Sequence, residues 1–357
     1  MMNGRVFYTG QAIIDLVMPV AALPPVGGDV YATSFELLPG GGFNTMAAAA
    51  RDGAEVIYLG TTGSGPFGEK VRAALAREIV AIPNAPIQNR DTGLSVALIE
   101  PNAERTFVSA LGAEGCVQLH HLNAVTLKPD DIVHVCGYSL RHPTNGRSLV
   151  SWLPTVPVET TVVFDPAPLL LEIPMAPWSA IVNRATIWTL NVREAGLALR
   201  RLTGVTPDTE DPAVLAVRLA HELSSTVVVR DGAAGAYVVG GSPAHMVDAE
   251  PSTRGGGDQP DSATALTPTP VSSRMSLDRA VHEADGRATH VPGHSVVAVD
   301  SNGAGDAHAG VLMSALARGE TLLAAVRRAN AAAALSVTKL GPATAPTRAE
   351  TDELLGK

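Results

Sequence analysis

Short runs rich in Val and Ile alternate along this chain with longer stretches rich in Ala, Leu and Arg, and this alternation constrains its fold most. The apolar runs at 56–59, 132–135, 161–164, 226–229 and 236–239 have the length and β-branched content of buried strands. Helical patterns at 45–52, 67–78, 212–222, 307–317 and 322–338 separate or follow them. Parallel strands need a crossover between them, usually a helix. The pattern therefore predicts an α/β fold of βαβ units, with a mainly parallel central sheet and helices on both faces. Hydrophobic residues make up 46% of the 357, enough for a sizeable core; aromatics are only 4%, so Ala, Val, Leu and Ile must fill it. The first strand is read from Val6 and Tyr8 through Ile13 and Ile14.

Two stretches depart from the alternation. Residues 16–38 and 93–108 carry β-type residues with turns between them and no helix to cover them. The second reads as a hairpin of 94–99 and 105–108 about a turn at Pro101 and Asn102. Both are expected to form a small β lobe beside the main sheet, either a lid that excludes water or a surface flap. Residues 242–289 are rich in Ser, Thr, Pro, Gly and Asp, with little apolar content. Such a segment cannot bury enough surface to offset its ordering entropy, so a long mobile insertion is expected, with one loose helix at 274–284. The rest reads as one domain.

The net charge is −9 and no basic block exists, which argues against nucleic-acid or membrane-surface partners. Cys116 and Cys136 form no CxxC pair and read as reduced thiols. The first fifteen residues lack the apolar run of a signal peptide, and no stretch is long and apolar enough to span a bilayer. A cytoplasmic location is the expectation.

The densest chemical signal is Asp300-Ser301-Asn302-Gly303-Ala304-Gly305-Asp306, read as the end of a strand, a turn and the start of a helix. Its glycines let backbone approach a ligand, and free N–H groups with the helix dipole favour a phosphate there. Asp306 sits in the first turn, either as an N-cap or as a base beside that anion hole. No Gly-Lys-Ser/Thr follows, so this is no Walker A loop. A second signal is Gly40-Gly41-Gly42-Phe43-Asn44 before a helix, where Asn44 offers a donor and an acceptor to hydroxyls. Asp15, just past the first strand, is placed to accept vicinal hydroxyls or to sit in an exposed turn. Asn191 and Glu194 share a helical face, suited either to magnesium through water or to capping. Gly232 and Gly235 form a turn between two strands.

In this order the motifs resemble the ribokinase-like (PfkB) carbohydrate kinases, over nearly the whole chain from Gly10 to about Pro346. The most specific parts are Gly41-Gly42-x-Asn44 and the Asp300 to Asp306 run, with Ser301 where the family usually has Thr. The resemblance implies a ribokinase-like three-layer α/β/α fold with a small β lid that often forms a dimer interface. It implies Asp306 as catalytic base, with Gly303, Ala304 and Gly305 as the anion hole. Asp15, Gly41, Gly42 and Asn44 would contact a sugar-like acceptor. Asn191 and Glu194 would serve magnesium and phosphate, Gly232 and Gly235 the nucleotide, and Asn330 the adenine pocket. Asp300 and the Gly341 region fall where many members hold a monovalent cation such as K+. ATP would be the co-substrate with Mg2+. Three departures stand out: Arg230-Asp231 in place of Thr-Leu, Phe43 after the glycines, and the 242–289 insertion.

The glycine loop has no Lys, and Arg51 is its nearest Arg in sequence. A sugar phosphate would want a cation. An unphosphorylated pentose or related sugar is therefore expected. A nucleoside, stacked on Phe43 or Phe107, is the second reading; a sugar phosphate reached by Arg105, or a silent binding protein on the same fold, are the others.

Overall fold

Strands are numbered here in chain order: β1 (Val6–Tyr8), β2 (Ala12–Pro19), β3 (Glu36–Gly41), β4 (Val56–Tyr58), β5 (Leu94–Ile99), β6 (Arg105–Ala110), β7 (Ile132–Cys136), β8 (Thr161–Asp165), β9 (Ile187–Asn191), β10 (Thr226–Arg230), β11 (Gly235–Val239) and β12 (Thr289–Pro292). The structure is a computed structural model that describes residues 4–101, 104–240 and 287–356. Eight of these strands form one sheet in the order β12-β11-β10-β9-β8-β7-β1-β4. From β10 to β4 the neighbours are parallel, and β11 runs antiparallel to both β10 and β12.

The central strands are apolar on both faces because helices cover both. Phe7, Val133, Phe164 and Trp188 point to one side and share a core with Leu149, Trp178, Leu199 and Leu219. Val6, Tyr8, Val163 and Val228 point to the other and pack with Met46, Leu75, Leu312 and Val326. This is the expected three-layer α/β/α arrangement, and burial on both faces is why the strands read as continuous apolar runs rather than as alternating ones.

A second sheet of four strands, β3-β2-β5-β6, lies beside the first. Its β2 and β5 are parallel, and β3 and β6 are the antiparallel edges. The single first strand expected from Val6 to Ile14 is in fact two: β1 lies in the large sheet, and β2 in the small one after a break at residues 9–11. Asp15 is therefore inside β2, paired with Leu38, and not at the end of a main-sheet strand. The small sheet also reaches back to Gly41 and on to Ala110, beyond the expected 38 and 108.

The strand expected to end at Asp300 does not form. Residues 293–300 are irregular, and Val297 and Val299 are 85% and 61% exposed. The N–H groups of Val299 and Asp300 both go to the Val337 carbonyl, so this valine run has neither a ladder partner nor a face to bury. Nearly all of the expected insertion lies outside the described residues; its last position, Thr289, is the first residue of β12 and pairs with Val238.

Candidate active site

Asp306 lies in the first turn of the Ala304–Ala317 helix, whose N-cap is Gly303. Gly303 has φ +79°, and a Cβ there would fall 2.0 Å from the Pro342 carbonyl oxygen, so only glycine makes this turn. The Asp306 carboxylate makes no cap to its own helix. It turns outward to the Gly42–Arg51 helix, where Thr45 Oγ1 donates to Oδ1 at 2.7 Å and Asn44 Nδ2 donates to Oδ2 at 3.3 Å. The two helices approach closely because Gly310 faces Thr45: a Cβ on Gly310 would stand 2.4 Å from the Thr45 carbonyl. The N-cap alternative for Asp306 is thereby set aside.

Burial pushes the Asp306 carboxyl up to about 6, with Asp165 adding to the rise, while Thr45, Asn44 and Arg230 oppose it. Burial also raises Asp15 to about 6, and the Asp306 charge adds to it. Asp15 needs space in the small sheet, and Gly40 leaves it: a Cβ on Gly40 would meet Oδ2 at 1.9 Å. Gly42 starts its helix against the Tyr8 ring, where a Cβ would be 2.1 Å from the phenol oxygen. Phe43 is buried beneath it in the core.

A cavity of about 570 Å³ opens between the small sheet and the loops around Asp300 and Gly341. Asp15, Glu36, Arg105, Phe107 and Asn302 are in its wall, and Asp306 is not. Its size suits one small organic ligand. Arg105 crosses from β6 to Asp300, with Nη2 2.5 Å from Oδ1. Asp300 also accepts the N–H groups of Asn302 and Gly341. Burial opposes the Asp300 charge, but these two N–H groups and Arg105 outweigh it and hold the carboxyl below its usual range. A monovalent cation at Asp300 would have to compete with that guanidinium.

On the other side of the Gly303 turn, Asn191 and Glu194 form a reciprocal capping box, with bonds of 2.9 and 2.8 Å. Burial first, and then Asp165, raises the Glu194 carboxyl. Arg230, the last residue of β10, fills the space between Glu194, Asp165 and the first turn of the Asp306 helix. Gly232 faces open space, and Gly235 is pressed against β12. Asn330 is buried, and its Nδ2 donates to the carbonyls of Val291 and Pro292 at 2.9 and 3.2 Å, so it fastens its helix to β12.

The structure thus joins Asn44 to Asp306 behind the Gly303–Gly305 turn, and Arg230 links that turn to Glu194. Asp15 feels the Asp306 charge from the wall of the cavity, which Asp300, bridged to Arg105, also lines. Sequence reasoning missed Thr45 and Asp165, and it saw Arg230 only as a departure from a pattern. Asp165 did carry a signal, since it ends an apolar strand run as acidic ligands in α/β sheets often do.

Among the described residues, no three His, Cys, Asp or Glu side chains cluster as a metal cage. The carboxylate oxygens of Asp165 and Glu194 fit magnesium of the kind held chiefly by water and substrate phosphates. Among the described residues, no helix is long and apolar enough to cross a membrane.

A family model described as pfkB family carbohydrate kinase matches residues 3–258 and 279–349. The chain is 29% identical to the uncharacterized sugar kinase YegV of Escherichia coli strain K12, over 97% of this chain and 92% of that one. It is 26% identical to the ribokinase of Haemophilus influenzae, over 97% and 96% of the two chains. A ribokinase from Arabidopsis thaliana, solved with ribose and ATP, shares the fold with a TM-score of 0.69 at 20% identity, over the full length of both chains.

Proposed function

The chain belongs to the pfkB family of carbohydrate kinases, and on that premise we propose that it transfers the terminal phosphoryl group of ATP to a hydroxyl of an unphosphorylated, ribose-sized sugar. The observation that carries this reading is the Asp306 carboxylate. It sits one turn into a helix, behind the Gly303-Ala304-Gly305 amides, with its pKa raised to about 6. A base with that value is ionised at neutral pH yet still basic enough to take a hydroxyl proton.

In the proposed step the acceptor oxygen attacks the terminal phosphorus, and its proton passes to Asp306. The bond from that phosphorus to the bridging oxygen breaks, and ADP leaves. The backbone N–H groups at 303–305 take up the charge that spreads over the transferred oxygens. Asp15, Gly41, Gly42 and Asn44 bind the acceptor, and the small sheet acts as the lid over it. Asn191, Gly232, Gly235 and Asn330 serve the nucleotide side. Glu194 and Asp165 would hold magnesium through water, and bound there it would neutralise polyphosphate charge. Asp306 lies outside the cavity wall, and its contact with the acceptor hydroxyl is expected to form as the loaded complex tightens.

The commitment of Arg105 to Asp300 supports a neutral acceptor over a sugar phosphate. A nucleoside is the second reading, favoured by Phe107, which is in the cavity wall and 55% exposed. The test is ADP release from magnesium-ATP by the full chain over a panel of pentoses, hexoses, sugar phosphates and nucleosides. Acceptor-dependent release with a pentose is expected. The absence of acceptor-dependent release across the whole panel would overturn the reading in favour of a silent binder.

A further inference from the structure

Arg230 departs from the motif and has no role in the reading above, and its surroundings are unusual for a buried arginine. It stands at the carboxyl end of β10 with its side chain 13% exposed. Its Nη1 donates to Asp165 Oδ2 at 3.3 Å and to the Gly305 carbonyl at 3.2 Å, and Nη2 reaches Glu194 Oε2 at 3.5 Å. Charge-assisted bonds are normally about 2.7–2.9 Å. Elsewhere in this molecule they reach that range, as in Arg328 with Asp52 at 2.7 Å and Arg5 with Asp131 at 2.7 Å. The Arg230 fork is therefore held by two acids without being closed by either.

Its direction matters as much as its looseness. A Cβ added to Gly305 would lie 3.4 Å from Nη1, so the guanidinium rests against the turn that carries the anion-hole amides. Asp165, Glu194 and Asp306 place three carboxyl groups about the guanidinium, a poor reception for a polyphosphate without a fixed positive charge. Burial works against the charge on Arg230, but Asp165 and Glu194 outweigh it, so the group stays a cation.

We infer that Arg230 is the charged wall of the anion hole, a phosphate-binding residue whose guanidinium holds the terminal phosphoryl group during transfer, with Asp165 and Glu194 holding the fork in place. This rests on the kinase reading above. Arg230 neither gains nor loses a proton; it forms hydrogen bonds to oxygens whose negative charge grows as the bridging bond breaks. An arginine suits this task because its planar fork matches phosphate oxygens and it cannot be discharged.

The test uses the full chain with magnesium present. AMP, ADP and the β,γ-imido analogue of ATP are titrated calorimetrically into the wild type, Arg230→Gln and Arg230→Lys, and turnover is measured with the best acceptor of the panel. For Arg230→Gln the imido analogue should bind about tenfold more weakly or worse, while AMP changes by less than about twofold. Its kcat should fall by about 100-fold, with acceptor KM moving less than about threefold. Arg230→Lys, which keeps the charge and loses the fork, should lie between. Equal weakening of all three nucleotides, or a kcat within about threefold of wild type, overturns the inference. If Arg230→Gln fails to fold because Asp165 and Glu194 are left facing each other, Arg230→Lys is judged by the same two criteria. If the variants show the graded nucleotide response but wild type phosphorylates no acceptor, the kinase reading falls, and Arg230 is a polyphosphate-binding residue with no part in transfer. Active wild type with an indifferent Arg230→Lys does the reverse.

Discussion

The Thr45 hydroxyl donates to Oδ1 of Asp306 at 2.7 Å across 261 positions of chain, so the first turn of one helix tempers the effect of burial on a carboxylate of another. That bond favours the ionised form and opposes the rise caused by burial. Under the proposed mechanism, log kcat should climb with pH below about 6 and level off above it, because only the carboxylate can accept the proton. Thr45→Val should move the midpoint of that profile upward. A pH-rate curve that is flat across this window would rule out Asp306 as the titrating base.

Asp306→Asn should lower kcat by about 10²–10⁴-fold through loss of the base, while calorimetric affinities for ADP and acceptor stay within a few-fold. Near wild-type turnover would show that the base lies elsewhere.

The same substitution should stabilise the protein above pH 6. The folded-state pKa of Asp306, about 6, lies above the ordinary carboxylate value of 3.8, so the native state is the better proton binder. The stability gained from that proton is complete below pH 3.8 and is lost as pH rises through about 6. Asn removes this loss. Thermal melts at pH 8 should therefore place the variant above wild type by a few degrees, and the gap should close towards pH 4. A gap that widens on acidification would contradict the burial argument.

Arg105 and Asp300, 195 positions apart, join the small sheet to the loop that leads into Gly303. Arg105→Ala should free that edge of the acceptor cavity. The expected result is an acceptor KM raised by about tenfold, with ADP affinity unchanged. It also uncovers the Asp300 carboxylate. Turnover in potassium should then exceed turnover in N-methylglucamine for the variant, and the two should agree more closely for wild type. Equal cation responses in both proteins would dissociate the bridge from cation binding.

Gly310→Val tests how the site is assembled. The added side chain must push the Asp306 helix away from the Thr45 carbonyl, 2.4 Å from the new Cβ. Overpacking of this kind costs about 1–3 kcal/mol. Activity should fall further than stability alone explains, because Thr45 and Asn44 are drawn off Asp306. A variant with a lowered Tm but wild-type kcat would show that those contacts are dispensable.

What the sequence determined by itself was local. The βαβ alternation, the turn at Gly303, the glycine loop before Asn44 and the cap from Asn191 to Glu194 all lie within a few residues of one another, where spacing and residue type decide geometry. Even at this range a pattern without a partner misled. Val297 and Val299 have strand-forming side chains but no neighbouring strand, and Ile13 and Ile14 continue the run of β1 yet pair in another sheet. Tertiary structure alone decided the rest. Asp165, Glu194 and Arg230 end or follow three separate strands and meet because β8, β9 and β10 are neighbours in parallel register. Thr45 and Arg105 found their partners through packing across 261 and 195 positions of chain. The raised pKa values of Asp15 and Asp306 are likewise products of burial, which no spacing of residues along a chain can state.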